Sequence, residues 1–345
     1  MSPEKRAQVK MGLGKIPNEF LKSIVFKYTG VKNPHLISGP AVGEDAAVLD
    51  YQRRLIVIKS DPITGAEKNA GWLVVNVNAN DIAVRGARPL FYLSTIIMPE
   101  NLTFDVLEDI CRGIGSAAKE LGVTVVGGHT EVTSAVTRPV LCGTMVGEPS
   151  PKGIILSSGA KVGDAIIVTK SVGLEGTAIL ASDRYNDLRA VIDDEMLKRA
   201  QGFLSRISVV REALVAAETG YVNCMKDPTE GGLLQALNEI AEASKVGYST
   251  DEELVPIESE TRRICETLQV DPLKLISSGM LILTIPQKNV KRVLAVIEQV
   301  GVKAAIIGVV TERGRNLRRI NGRKEVVEEF IREELWKALW MRPKK

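Results

Sequence analysis

Four aspartates, Asp45, Asp61, Asp81 and Asp227, each stand among small or turn-forming residues beside an apolar run. The local strings are Gly43-Glu44-Asp45-Ala46-Ala47-Val48-Leu49, Lys59-Ser60-Asp61-Pro62, Asn78-Ala79-Asn80-Asp81-Ile82-Ala83 and Asp227-Pro228-Thr229-Glu230-Gly231-Gly232. Carboxylates delivered to one point by the ends of strands and helices repel one another unless a hard cation sits between them. Mg2+, which takes few carboxylates and many phosphate oxygens, suits such a set. Spacings of 16 residues from Asp45 to Asp61 and 20 from Asp61 to Asp81 fit three successive elements ending in one place. Singly, each aspartate has a plainer reading. Asp45 suits a turn, Asp61 a strand end before proline, Asp81 a salt bridge to Arg85 or Arg88, and Asp227 a structural helix start. Together they point to a nucleotide-phosphate site.

No Gly-x4-Gly-Lys-Ser/Thr loop exists, so the site is not of the Walker type. Gly12-Leu13-Gly14-Lys15 reads either as a solvated tail or as a lid whose Lys15 closes over phosphates. Asn80, beside Asp81, joins the cofactor-binding candidates. Gly127, Gly128, His129 and Thr130 follow a predicted strand, where paired glycines let backbone N–H groups approach a phosphate; His129 reads equally as a hydrogen-bonded, half-buried imidazole. Gly231 and Gly232 open an apolar helix and leave its N-terminus bare for an anion, with Thr229 a candidate cap.

The elements that must position these residues can be read from periodicity. Helical spacing covers residues 16–30, 72–85 (small, apolar and buried) and 103–121, the last with the stripe Phe104, Leu107, Ile110, Cys111, Ile114, Ala118 and Leu121. Strands are predicted over 46–49, 55–59, 90–98, 123–126 and 140–146, with a break at Gly127-Gly128. Residues 147–152 read as a linker. Beyond it come a strand over 165–169, a helical stretch over 178–219 capped midway by Ser208, a helix over 231–243, a strand over 280–285, a helix over 289–300, a strand over 304–310 and a last helix over 326–340. The organisation is therefore a lead-in over 1–39, a nucleotide-binding and dimerisation domain over 40–148, a second α/β domain over 153–315 and a helical, basic tail over 316–345.

Totals narrow the class. The 345 residues carry 45% apolar and 25% charged side chains with a net charge of +3, which argues against nucleic-acid binding. No apolar run reaches membrane-spanning length, and residues 1–6 lack a signal-peptide core, so a cytoplasmic protein is expected. Cys111, Cys142, Cys224 and Cys265 form no C-x-x-C pair and read as small buried hydrophobes in a reducing compartment. Dense Lys, Arg and Glu with scarce Gln points to a thermophilic source.

The aspartate strings, with Gly86-Ala87-Arg88-Pro89, Gly127-Gly128-His129-Thr130, Gly173-Leu174-Glu175-Gly176-Thr177-Ala178 and Asp227-Pro228-Thr229-Glu230-Gly231-Gly232-Leu233, resemble the aminoimidazole-ribonucleotide synthase superfamily in order from about residue 40 to 310. Leu237-Asn238-Glu239-Ile240-Ala241, Asp271-Pro272-Leu273 and Ile307-Gly308-Val309-Val310 are similar to its hydrogenase expression/formation (HypE) branch. The resemblance implies a PurM-like α/β (α+β) fold of two domains. The first carries a mixed sheet with helices on one face and pairs into a dimeric barrel. It also implies Mg2+ and ATP held on Asp45, Asp61 and Asp81, phosphoryl transfer to a small-molecule acceptor, and a homodimer. Asp81, Asp227 and Lys15 are its catalytic candidates, and a maturation partner protein is a further expectation. Three departures stand out. No cysteine follows Cys265, so the terminal-cysteine thiocyanate chemistry of that branch is not expected; His129 replaces an aspartate; and Ser278 stands where an acid precedes glycine.

The residues thus predict an ATP- and Mg2+-dependent enzyme activating an oxygen of a small substrate. A non-catalytic ATP-binding partner protein and a kinase like that of thiamine monophosphate are the alternatives.

Overall fold

A computed structural model of the chain describes residues 18–23, 26, 33–52, 54–64 and 69–340. Of the helix expected over 16–30, α1 (Asn18–Ser23) is described; Lys15 and the Gly12 segment lie outside the described residues. β1 (Leu36–Ser38), β2 (Ala47–Tyr51) and β3 (Arg54–Ile63) run antiparallel to their neighbours, with Ala47 opposite Ile58. α2 (Ala70–Ala83) follows and buries thirteen of its fourteen residues. Small side chains make this possible: a Cβ on Gly71 would stand 2.0 Å from the Ile110 carbonyl oxygen of the helix above it.

β4 (Ala87–Met98), α3 (Phe104–Leu121), β5 (Thr124–Val132) and β6 (Val140–Pro149) complete a six-stranded mixed sheet of order β1-β2-β3-β6-β4-β5, in which only β4 and β5 are parallel. α2 and α3 contact this sheet, and they pack on each other. Three sequence expectations change here. α3 buries Ile110, Ile114, Ala117 and Ala118, whereas Phe104 and Cys111 of the expected stripe are exposed. Gly127 and Gly128 lie within β5 and do not break it; Gly128 is needed because a Cβ there would meet the Ser94 carbonyl at 1.9 Å. Residues 147–149, expected in a linker, pair in β6, Gly147 with Val57 and Pro149 with Ala87.

The second half contains β7 (Asp164–Thr169), α4 (Leu174–Asp183), α5 (Tyr185–Leu188), α6 (Asp194–Gln201), α7 (Val210–Glu218), β8 (Cys224–Lys226), α8 (Gly232–Ser244), β9 (Gly247–Asp251), α9 (Ser259–Leu268), β10 (Ile282–Pro286), α10 (Val290–Gln299), β11 (Ala304–Thr311), β12 (Arg315–Arg318), β13 (Lys324–Val326) and α11 (Glu334–Trp340). Its seven-stranded sheet has the order β13-β12-β9-β11-β7-β10-β8. The helical stretch expected over 178–219 is split into separate helices, and Val209, not Ser208, occupies the cap position of α7. β12 and β13 extend this sheet past residue 315, and the expected 326–340 helix is reduced to α11. One apolar cluster joins the halves, uniting Val74, Val75 and Ile82 of α2 with Ile167, Val210 and Leu283. α2 is thus the buried beam between the two sheets. Among the described residues, no helix is long and apolar enough to cross a membrane.

Candidate functional site

Three chain ends meet at this beam. Asp45 comes from the turn before β2, Asp81 from the last turn of α2, and Asp227 from the residue after β8. One carboxylate oxygen of each lies within 4.8 Å of one from both others. Asp81 is 4% and Asp227 1% exposed. Both oxygens of Asp227 are buried without a hydrogen-bond partner, whereas the buried Oδ2 of Asp81 faces the Lys59 ammonium at 3.1 Å. Buried carboxylates are normally paired, so this is an expensive arrangement that a bound group must relieve. Burial, opposed by Lys59 and reinforced by Asp227, Asp61 and Asp45, holds the Asp81 carboxyl well above its usual range. Burial and then Asp45 push Asp227 up to about 7.

Asp61, predicted as the third metal ligand, stands outside that triplet but lines the same cavity, of about 470 Å³. Strand alternation turns Lys59 to the same side, 3.1 Å from Asp81 Oδ2 and 3.9 Å from Asp61 Oδ2. Burial opposes the Lys59 charge, yet the fields of Asp81, Asp61 and Asp45 outweigh it and keep the ammonium above its ordinary value. Asn78 acts as an artificial strand neighbour for Asp61: its Oδ1 accepts the Asp61 N–H at 2.9 Å and its Nδ2 donates to the Asp61 carbonyl at 3.1 Å.

Two further basic groups belong to the site, of which Lys226 escaped the sequence reading and Arg85 was given another partner there. Lys226 Nζ donates to Asp45 Oδ1 and stands 3.0 Å from Glu239 Oε2. Arg85 is fully buried; it donates to Glu44 at 2.7 Å, Asp45 at 3.1 Å, Ser157 Oγ at 2.8 Å and the Met225 carbonyl at 2.9 Å. The guanidinium therefore holds the Asp45 turn and does not pair with Asp81, as the plainer sequence reading had it. A lysine in the buried run Cys224-Met225-Lys226 signals an ionic partner in the sequence itself.

Other predicted residues have different tasks. Asn80 spends both ends of its amide on the backbone, donating to Ile207 O at 2.9 Å and accepting from Val209 N–H at 2.8 Å. It ties α2 to the segment that leads into α7. Gly127, Gly128, His129 and Thr130 lie on the edge strand β5, with Gly128 in register with Ser94, Gly143 and Asp61 across three strands. That puts it on the order of 14 Å from Asp61 within one chain. His129 is exposed and pairs with Glu131 at 3.2 Å. Gly231 and Gly232 do open α8, both with positive φ and without a side-chain cap from Thr229. The start is not bare, however: Glu333 accepts the N–H groups of Gly231 at 2.6 Å, Ile276 at 3.0 Å and Leu335 at 2.7 Å. Leu335 and Trp336 from the same segment line the cavity. Cys224 and Cys265 are buried as expected, Cys142 is half-buried and Cys111 exposed; none lines the cavity among the described residues.

The donor set tests Mg2+ directly. All three members of the triplet offer hard carboxylate oxygens, two of the groups are buried, and three oxygens in the wider site, both of Asp227 and Glu175 Oε2, lack a partner. Mg2+ fits such a set, and Asp45, Asp81 and Asp227 are the residues that would hold it.

Residues 43–148 match the model of the AIR synthase related protein N-terminal domain, and residues 161–320 that of its C-terminal domain. A Methanocaldococcus jannaschii protein named for hydrogenase expression and formation is 31% identical over 91% of this chain and 93% of its own length. The carbamoyl dehydratase HypE of Rhizobium leguminosarum bv. viciae is 35% identical over 70% of this chain and 67% of its own. A crystal structure of the hydrogenase maturation protein HypE in complex with ATP superposes with a TM-score of 0.71 at 26% identity, covering 94% of this chain and 97% of that one. With its two domains in the same order and a PurM-like fold throughout, the chain belongs to the AIR synthase related protein family.

Proposed function

We propose that this protein is an ATP- and Mg2+-dependent enzyme that transfers the γ-phosphoryl group of ATP to an oxygen of a small substrate. The observation that carries this reading is the triplet Asp45, Asp81 and Asp227, buried together with both Asp227 oxygens unpartnered. Mg2+ bound there supplies charge neutralisation to a polyphosphate. Asp61 lies on the wall of the same cavity and adds a ligand at its rim. Lys59 and Lys226 neutralise the carboxylates within the chain and are its nearest cations for phosphate oxygens. Such transfers depend on positioning and electrostatics more than on covalent help, which matches a site rich in charge.

The relatives' names make a carbamoyl-type oxygen the first acceptor to try and a maturation partner protein a sensible companion. The chemistry proposed here uses a diffusible acceptor and no terminal cysteine. The active unit is a homodimer.

ADP release from ATP, with and without Mg2+ and candidate acceptors, tests this reading. Mg2+-dependent release that rises with an acceptor, and that Asp81→Asn abolishes while the fold stays intact, is the expected result. Nucleotide binding with no release under any acceptor would reduce the protein to an ATP-binding partner.

A further inference from the structure

Glu175, the second residue of α4, lines the cavity together with Ser278. It is 6% exposed, Ser278 hydrogen-bonds its carboxyl, and its Oε2 is buried with no partner. Among the described residues, no lysine or arginine forms a salt bridge with it. Among the charged groups that act on it are the acids Glu230 and Asp227 from the turn before α8, and Asp61 from β3, while Lys59 and Lys226 line the same cavity. The backbone at the start of α4 does not serve it either, because Gly176 N–H bonds the Ile276 carbonyl and Thr177 N–H the Gly173 carbonyl. A carboxyl kept only for structure would have its oxygens paired at this depth. This one leaves an oxygen unpaired in a residue that lines a cavity also lined by the aspartate triplet's Asp45 and Asp81.

We infer that Glu175 accepts the proton of the acceptor's O–H as that oxygen attacks the γ-phosphorus of ATP, an assignment that rests on the phosphoryl-transfer reading above. The new bond joins the acceptor oxygen to phosphorus. The bond from γ-phosphorus to the β,γ-bridging oxygen breaks, and its electron pair leaves with ADP. The proton passes from the acceptor oxygen to the Glu175 carboxylate and then to solvent. Burial, and after it the fields of Glu230, Asp227 and Asp61, outweigh the Ser278 hydrogen bond and push the carboxyl up to about 7. A group so poised exchanges protons near neutrality, as a general base must.

The test is Mg2+-dependent phosphate release from ATP with water as acceptor, followed from about pH 5.5 to 9. Wild-type turnover should rise through about pH 7. Glu175→Gln should lower it by roughly 100-fold or more and flatten that rise, while Glu175→Asp recovers part of both. A non-hydrolysable ATP analogue with Mg2+ should raise the melting temperature of Glu175→Gln as it does the wild type. A Glu175→Gln enzyme with wild-type rate and pH profile overturns the assignment and leaves the ATP reading standing. Wild-type protein without Mg2+-dependent ATP turnover with water or with any candidate acceptor overturns both. Should Glu175→Gln fail to fold, Ser278→Ala decides: losing a bond that lowers the Glu175 pKa must move the rise to higher pH, and an unmoved rise overturns the assignment.

Discussion

Asn80 and Arg85 are spent on keeping Asp45 and Asp81 in place, and both roles are measurable. Asn80→Ala strands the Ile207 carbonyl and the Val209 N–H in the interior. Two such orphans should cost roughly 2–5 kcal/mol in denaturant unfolding. Arg85→Met leaves Glu44 and Asp45 without their buried partner and should cost about 3–5 kcal/mol, read in the same way. The aspartates themselves were legible in the sequence because a carboxylate among small apolar residues has few reasons to be there. Lys59 was legible too, since it precedes Asp61 by the two-residue period of a strand, though it was passed over. Arg85 was misread because sequence proximity to Asp81 says nothing about which side of a helix end it leaves. Asn80 was assigned by adjacency, while its helical position turned it toward α7.

At the scale of elements, the C-terminal segment changes the site most. Glu333 fills the anion position at the start of α8, and burial pushes its carboxyl up to about 7 although three N–H bonds pull it down. A raised pKa in the folded state means that its stabilising effect is complete below the unfolded value near 4.5 and is lost as pH rises through about 7. Wild-type stability should therefore fall over that window by on the order of 3 kcal/mol more than that of Glu333→Gln. Thermal unfolding of both proteins across pH 4 to 8, without Mg2+, checks this. An identical slope for the two would remove Glu333 from the account. The sequence presented this segment as one helix because Val327, Ile331 and Leu335 recur every four residues. They are buried, but in different clusters: Val327 and Ile331 pack with α8, Leu335 with α4 and α9. A chain wrapped over two surfaces imitates helical period. By contrast α2, α3 and the strands β3, β4 and β6 were readable, since each buries a continuous or alternating pattern. β8, β9 and α9 were missed; the two strands are too short and too mixed to carry a period.

For the whole molecule, the first sheet presents Phe91 and Leu93 on one face of β4, next to the edge strand β5, both exposed in a single chain. An apolar patch on a sheet at its open edge calls for a partner surface, and a second copy meeting it there is the dimer proposed above. Light scattering should give a dimer for the wild type and a monomer for Leu93→Glu; an unchanged mass would move the interface elsewhere. A saturating ATP analogue at 100 times its dissociation constant should stabilise the protein by about 2.7 kcal/mol, and only with Mg2+ present. The most direct measurement is an anomalous difference map from crystals holding Mn2+ and a non-hydrolysable ATP analogue. The account predicts a manganese peak within coordination distance of Asp45, Asp81 and Asp227, touching the polyphosphate. Nucleotide density with no metal among those three carboxylates would contradict it.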